Sequence, residues 1–311
     1  MTRVLTLGEG LGVIRTSEAL VTAPHLGVGV GGAELNVAIG LARLGTEVTW
    51  LGRVGPDGLG RRVVRELRAE GVHAIAPTDD RHTGLLLKER DALGRTLVTY
   101  HRTASAGSRL EPADLDGVDW SQFGLLHITG ITPALSDSAA ATVTEAVRRA
   151  GDAGLTISFD VNHRSRLWSS EAAAPIYREL AARSDVLFAG LDEAAVLLGD
   201  LPDDPWKTVE ALADLGPSTV VLKLGERGAL ARSGAGRARA SAVRVDVVDT
   251  VGAGDAFVAG YLAELIEGRS LTECLATAVK AGAAVCRHEG DWEGAITRQE
   301  LDAEVTDAVV R

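Results

Sequence analysis

Cysteine is scarce, with two residues in 311, Cys274 and Cys286, both within one helical pattern and at no metal-ligand spacing. A disulfide scaffold and a thiolate metal centre are thereby excluded, and a reduced, cytoplasmic setting is expected. Long apolar runs are missing as well. No window reaches the roughly 18 uninterrupted apolar residues of a membrane span. Residues 1–30 lack the charged start and apolar core of a secretory signal, so no membrane partner is expected. Basic residues are outnumbered: 32 Lys and Arg against 43 Asp and Glu leave a formal charge of −11, which argues against nucleic acid as a partner. An anionic ligand would have to be held by a few local arginines against the field of the whole chain. The Walker-type phosphate loop G-x-x-x-x-G-K-[ST] is absent, as are internal repeats and low-complexity linkers.

What is present is an alternation of short β-rich runs with amphipathic stretches. VLTL (4–7) predicts a first strand, and GGAELNVAIGLARLG (31–45) a helix with Leu35, Ile39 and Ala42 on one face and Gly45 as its stop. TEVTWLG, FGLLHITG, LTISFDVN, DVLFAG, STVVLKLG and VRVDVV read as strands. GRRVVRELRAEG, SDSAAATVTEAVRRAG and PIYRELAARS read as the helices between them, and 271–287 and 298–310 as closing helices. The expectation is an α/β fold over residues 1–311, with one Rossmann-like parallel sheet covered by helices on both faces.

One region breaks the rhythm. TGLLLKERDALGRTLVTYHR (83–102) reads as two strands joined by a Gly-containing turn, and residues 10–30 as a further strand or two. Together they predict a small antiparallel sheet acting as a lid over the strand ends where open α/β sheets bind ligands. Its edge strands could also pair with a second copy, giving a homo-oligomer.

Gly27, Gly29 and Gly32 spell the dinucleotide fingerprint G-x-G-x-x-G, but Pro24 interrupts the strand that must precede it. An NAD-dependent oxidoreductase is therefore a remote alternative. The pair Gly31-Gly32 reads better as a place where a ligand meets bare backbone at a helix start. The stretch DTVGAGDAFVAGY (249–261) carries more. Gly252-Ala253-Gly254 can bring successive N–H groups together as an anion cradle at a helix N-terminus. Phe257, Val258, Tyr261, Leu262, Leu265 and Ile266 pack the helix that follows, and Gly268 ends it. Asp255 falls in its first turn. An acid there stabilises a helix by roughly 0.3–1 kcal/mol in any protein. The same placement would let it take a proton from an attacking hydroxyl while the cradle holds charge on a transferring phosphoryl group.

These residues resemble the signatures of the ribokinase-like (PfkB-type) carbohydrate kinases, the family of bacterial minor phosphofructokinase and adenosine kinase. DTVGAGDAFVAGY is similar to the C-terminal signature, and GGAELNVAIGLARLG with GRVGPDGLG to the N-terminal one. The resemblance spans essentially the whole chain. It implies a Rossmann-like sheet with a β-lid, ATP and Mg²⁺, and transfer of the γ-phosphoryl to a sugar hydroxyl. It leaves room for a monovalent cation such as K⁺. It makes Asp255 the catalytic base and Gly252, Ala253 and Gly254 the anion hole. KLGERG (223–228) matches the nucleotide-side loop, with Lys223, Gly225 and Gly228 at the nucleotide.

TYHRTASAGS (99–108), HITGITPALS (127–136), DVNHRSRLW (160–168) and GDWEGA (290–295) resemble the 2-keto-3-deoxygluconate kinases more than ribokinase or fructokinase. That resemblance puts Tyr100, Arg102 and Arg164 on the sugar acid or the phosphates, and Asp291 on a substrate hydroxyl. Gly31, Gly32 and Asn36 then lie at the substrate, and Asn162 with Arg164 at ATP, His163 lining the same crevice. Chemistry agrees, since a guanidinium fork suits a carboxylate. The family's N-x-x-E motif reads Gly190-Leu191-Asp192-Glu193 here, which keeps only the glutamate as a carboxylate reaching the metal through water. Many neutral-sugar members have an aspartate where this chain has Glu9. A neutral-sugar kinase such as fructokinase or ribokinase is the competing expectation within the family. A non-catalytic sugar-binding protein is disfavoured because Asp255 and its glycines are intact.

Overall fold

A computed structural model describes residues 2–91, 93 and 95–309 of the chain. β1 (Val4–Leu7) is followed by β2 (Leu11–Arg15), β3 (Gly27–Gly31) and α1 (Ala33–Arg43). Then come β4 (Val48–Leu51), α2 (Gly58–Ala69), β5 (His73–Ile75), β6 (Gly84–Arg90) and β7 (Thr96–His101). The middle of the chain holds β8 (Leu125–Thr129), α3 (Asp137–Asp152), β9 (Thr156–Asp160) and α4 (Ser170–Ala182). It continues with β10 (Val186–Gly190), α5 (Leu191–Leu198), α6 (Pro205–Ala213) and β11 (Thr219–Lys223). A hairpin of β12 (Ala229–Ser233) and β13 (Gly236–Ala240) leads into α7 (Ala253–Ile266), α8 (Leu271–Val285) and α9 (Arg298–Val309). Gly94, the glycine of the expected lid turn, and residue 310 of the last expected helix lie outside the described residues.

The nine-stranded sheet has the order β13-β12-β11-β10-β9-β8-β1-β4-β5, with parallel pairing everywhere except at β11–β12 and β12–β13. Alternation along each strand feeds two cores. Val186 and Phe188 of β10 point into the one under α1, α7 and α8, and Leu187 and Ala189 into the one under α3 to α6. Each fully buried side chain of this size contributes about 1.5–3 kcal/mol. α7 is deeply enclosed: residues 255 to 264 are all buried, and Tyr261 meets Phe188 edge-on with ring centroids 5.2 Å apart.

The lid is a separate sheet ordered β3-β2-β6-β7. It is mixed, not antiparallel as expected, because β2 and β6 pair in parallel. Each leaves the main sheet directly after one of its parallel strands, β1 and β5, so both run outward in the same sense. Gly27 to Gly31 form the lid strand β3, so the G-x-G-x-x-G stretch is not a strand-to-helix turn.

Two of the expected elements need correction, and several others were not expected. VRVDVV (243–248) forms no strand, although its alternation resembles one. The backbone N–H groups of Val248 and Asp249 bond instead to the Cys286 carbonyl at 2.8 and 3.3 Å, and residues 241–252 run as an irregular strap beside a cavity. The helix expected at PIYRELAARS starts earlier, at Ser170, where Ser169 accepts the Ala172 N–H, and Pro175 lies inside it. Helices α5 and α6, strand β5 and the β12–β13 hairpin had no counterpart in the pattern.

Candidate active site

The turn before α7 is shaped by one residue. Gly252 has φ +78 and ψ −10, and a methyl group there would lie 1.7 Å from the Asp291 carbonyl oxygen. Only glycine fits. α7 then begins with its first N–H groups unpaired, as at any helix start. The Gly254 and Asp255 N–H groups find no acceptor among the described residues, whereas that of Ala253 points to the Thr250 carbonyl at 3.3 Å.

Gly252 to Asp255 form a wall between two cavities. On one side lies a cavity of about 650 Å³, bounded by Ala253, Gly254, Lys223, Gly225, Gly228, the strap and α8. On the other lies a cavity of about 60 Å³, bounded by Gly252, Asp255, Gly32, Asn36, Glu9, Tyr100, Arg102, Arg164 and Asp291. The smaller holds little more than about two waters. Tyr100 and Arg102 of the lid thus already rest over the ends of the main sheet.

Asp255 is 7% exposed and faces this inner cavity. Asn36 of α1 donates to its Oδ2 at 2.8 Å, and Asn162, just beyond β9, to its Oδ1 at 3.1 Å. Asn162 takes φ +41, an uncommon conformation for a side-chain-bearing residue, and so aims its amide at Asp255. Burial pushes the Asp255 carboxyl above its usual 3.8, while Asn36, Arg164 and Lys223 restrain the rise. Gly32 caps α1 with φ +139, and a side chain there would strike the Glu9 carbonyl at 2.2 Å. Gly31 is pressed against Asp291, whose Oδ2 would lie 2.4 Å from an added methyl.

The two arginines differ. Arg102 is buried, ion-paired to Glu9 at 2.5 Å, and lies 5.3 Å from the Tyr100 ring. Its Nε has no hydrogen-bond partner. Glu9 also accepts from Ser105 at 2.5 Å, so the longer acid on this strand end is engaged within the protein. Arg164 is exposed, and its guanidinium makes no hydrogen bond or ion pair with the described residues. Asp291, 5% exposed, keeps an unpartnered Oδ1, and its carboxyl is raised to about 7 by burial, against the pull of Lys88 and with the push of Glu293.

A second acidic group surrounds Lys223 at the edge of the larger cavity. Lys223 pairs with Asp160 at 2.6 Å and sits 3.7 Å from Glu193, which accepts the Gly190 N–H at 2.5 Å and the His163 N–H at 3.2 Å. Asp160 is raised to about 7 by burial, eased by Lys223 and worsened by Glu193 and Asp255. Carboxylates grouped around one lysine in this way suit a nearby divalent cation. No three metal-ligating side chains converge among the described residues. The set fits a magnesium ion held chiefly by nucleotide phosphates and reached from the protein through water.

The structure therefore gathers Gly31, Gly32, Asn36, Tyr100, Arg102, Arg164, Gly252, Asp255 and Asp291 around one cavity and Lys223, Gly225, Gly228, Ala253 and Gly254 around its neighbour. Asn162 and Glu193 lie beneath the junction. Sequence reading missed Asp160, Lys88 and the pairing of Glu9 with Arg102. Lys88 alone left a signal, as a charge at an inward position of an alternating strand.

Comparison with known proteins agrees. A model of the pfkB family of carbohydrate kinases matches residues 1–298. The chain is 37% identical over 308 residues to 2-dehydro-3-deoxygluconokinase of Bacillus subtilis, covering 96% of this chain and 93% of that one. It is 35% identical to 2-dehydro-3-deoxygalactonokinase of Haloferax volcanii, covering 93% and 92%. Among solved structures, a ribokinase II from E. coli in complex with ATP and Mg²⁺ superposes with a TM-score of 0.90 at 23% identity, covering 99% of this chain and all of that one.

Proposed function

Because the chain belongs to the pfkB family of carbohydrate kinases, we propose that it phosphorylates 2-keto-3-deoxygluconate (2-dehydro-3-deoxygluconate) on its terminal hydroxyl, giving 2-keto-3-deoxy-6-phosphogluconate. One observation carries this reading: a single glycine turn separates a small polar cavity from a nucleotide-sized one, with a buried carboxylate at the partition.

ATP takes the larger cavity, its phosphates meeting the Gly254 and Asp255 N–H groups and Lys223. The sugar acid takes the smaller one, which widens as the lid lifts. Asp291 accepts a sugar hydroxyl, Gly31 and Gly32 let the sugar lie against backbone, and Arg164 with Arg102 holds the carboxylate. Asn36 and Asn162 fix the Asp255 carboxylate toward the acceptor. The acceptor oxygen attacks the γ-phosphorus, its O–P bond forms as the bridging P–O bond to ADP breaks, and Asp255 takes the released proton. A magnesium ion would be held through water by Glu193 and Asp160 beside Lys223 and would supply charge neutralisation at the phosphates.

We take residues 1–311 as one kinase unit with its lid. Leu26, Val28 and Leu97 are exposed on lid strands or beside them, and we propose that lids of two copies pair there. Both cysteines are free, which supports a reducing cytoplasmic setting. No described helix is long and apolar enough to cross a membrane.

An ADP-release assay over a panel of sugar acids, fructose and ribose tests the substrate. Release with fructose and none with keto-deoxy acids would assign a neutral-sugar kinase. Arg164→Ala is expected to lower kcat/KM for the sugar acid about 100-fold and for any neutral sugar only a few-fold, because the lost fork pairs a carboxylate. Equal losses would remove the carboxylate argument.

The pH profile follows from the two raised carboxyls. Both must be ionised, Asp255 to accept a proton and Asp291 to accept a hydroxyl. Each has its folded value above 3.8, so acid switches the site off well above the ordinary carboxylate range. kcat/KM should climb through about pH 7 with Asp291 present, and Asp291→Asn should remove that part of the climb. A flat profile from pH ~5 upward would show that neither group gates the reaction.

A further inference from the structure

We propose that Lys88 is a positioning residue for phosphoryl transfer: carried by the lid, its ammonium clasps Asp249 and Asp291 on the two sides of the glycine turn and sets that turn when the lid is down. This rests on the kinase reading above.

Lys88 occupies an inward position of β6, in line with Gly84 and Leu86, where the alternation calls for an apolar side chain. It is 7% exposed. A buried ammonium is costly unless paired. It ion-pairs with Asp249 of the strap and lies 4.0 Å from the otherwise unpartnered Oδ1 of Asp291.

Both acids touch the turn. Asp249 accepts the Val251 N–H on its Oδ1 at 3.2 Å, fixing the residue before Gly252. Asp291 presses its own carbonyl against Gly252 so closely that no side chain fits between them. One cation therefore holds the approach to the turn and the wall behind it. Three other carboxylates bear on Asp291, namely Asp249 of the strap, Glu293 and Asp255 of α7, while Arg15 of β2 is committed to Glu293 and Arg90 of β6 donates to the Val248 carbonyl. Lifting the lid would withdraw the lysine and leave two buried acids side by side. Closure and assembly of the turn are thus a single electrostatic event.

The test compares wild type with Lys88→Met and Lys88→Arg under saturating ATP, with ethylammonium or K⁺ added. Lys88→Met is expected to lose roughly 10- to 100-fold in kcat, with ATP affinity within about 3-fold of wild type. Ethylammonium or K⁺ at tens of millimolar should return part of the loss, about 5-fold or more, while leaving wild type unchanged, and Lys88→Arg should retain most turnover. Hydrogen exchange at the Val251 N–H should be about 10-fold faster in Lys88→Met, a readout independent of turnover. Wild-type kcat in Lys88→Met, or a loss that neither added cations nor Lys88→Arg relieves, overturns the proposal. Should Lys88→Met not melt cooperatively, Lys88→Gln is read by the same criteria. A wild type that releases no ADP with any sugar sinks the kinase reading instead, and exchange at Val251 then decides the role of Lys88: unchanged exchange overturns it.

Discussion

Replacing Asp255 by Asn should lower kcat by about three to five orders of magnitude while changing ATP affinity no more than about 3-fold. The size of the effect comes from chemistry. Asn cannot take the acceptor's proton, and general base catalysis alone contributes about 10²–10⁴. The substitution also removes the charge that orients two donors. Asn36 and Asn162 each give an N–H to one Asp255 oxygen. An amide at 255 can accept only one of them and sets its own NH₂ against the other. ATP should be spared because the larger cavity is bounded by Ala253, Gly254, Lys223 and the 225–228 turn, none of which depends on the 255 side chain. Turnover is measured with saturating ATP and sugar acid, and ATP affinity by titration without the sugar. Near-normal turnover would return Asp255 to the modest part of any acid in a helix first turn.

Why that residue was legible in the sequence, and others were not, has a physical basis. A helix-start glycine turn is local: positive φ at Gly252, an acid in the first turn and an apolar run behind it all fall within one window. The parallel sheet was legible for the same reason, since each strand and its helix are contiguous. Contacts closed over long separations were not. Glu9 and Arg102 pair across the lid, Lys223 of β11 reaches Asp160 of β9 past the intervening β10, and Lys88 meets Asp249 only because the lid folds over. The strap at 241–252 shows the converse error. Its alternating Val and charged residues satisfy the strand pattern, but the segment finds no partner strand, and its N–H groups turn to Cys286. Pattern sets which side chains can face inward; pairing depends on what lies beside them. The mixed lid is a third case, because strand direction there follows from which main-sheet strand each lid strand leaves, a property of topology that no local window contains.

Gly252→Ala is the second large effect, and it separates geometry from chemistry because no ionisable group is touched. The methyl group would sit 1.7 Å from the Asp291 carbonyl oxygen, and that atom is backbone, so no rotamer change can clear it. Alanine must also hold φ near +78, which costs about 1–2 kcal/mol even without the clash. Relief requires either the turn or the Asp291 segment to move. The first displaces the N–H groups that would meet the phosphoryl, and the second displaces the carboxylate that would bind the sugar. The expected result is a loss of at least about 100-fold in kcat/KM for the sugar acid together with a lower Tm. Gly254→Ala is the control. Its methyl would meet nothing within 4 Å, and it lies in the helix, where alanine is the better former. That variant should keep its Tm, so any loss of turnover in it reports obstruction of the nucleotide cavity by the methyl alone. If Gly252→Ala instead melts and turns over like wild type, the left-handed turn packed on Asp291 cannot be what aligns donor and acceptor, and alignment would have to come from the lid side of the cleft.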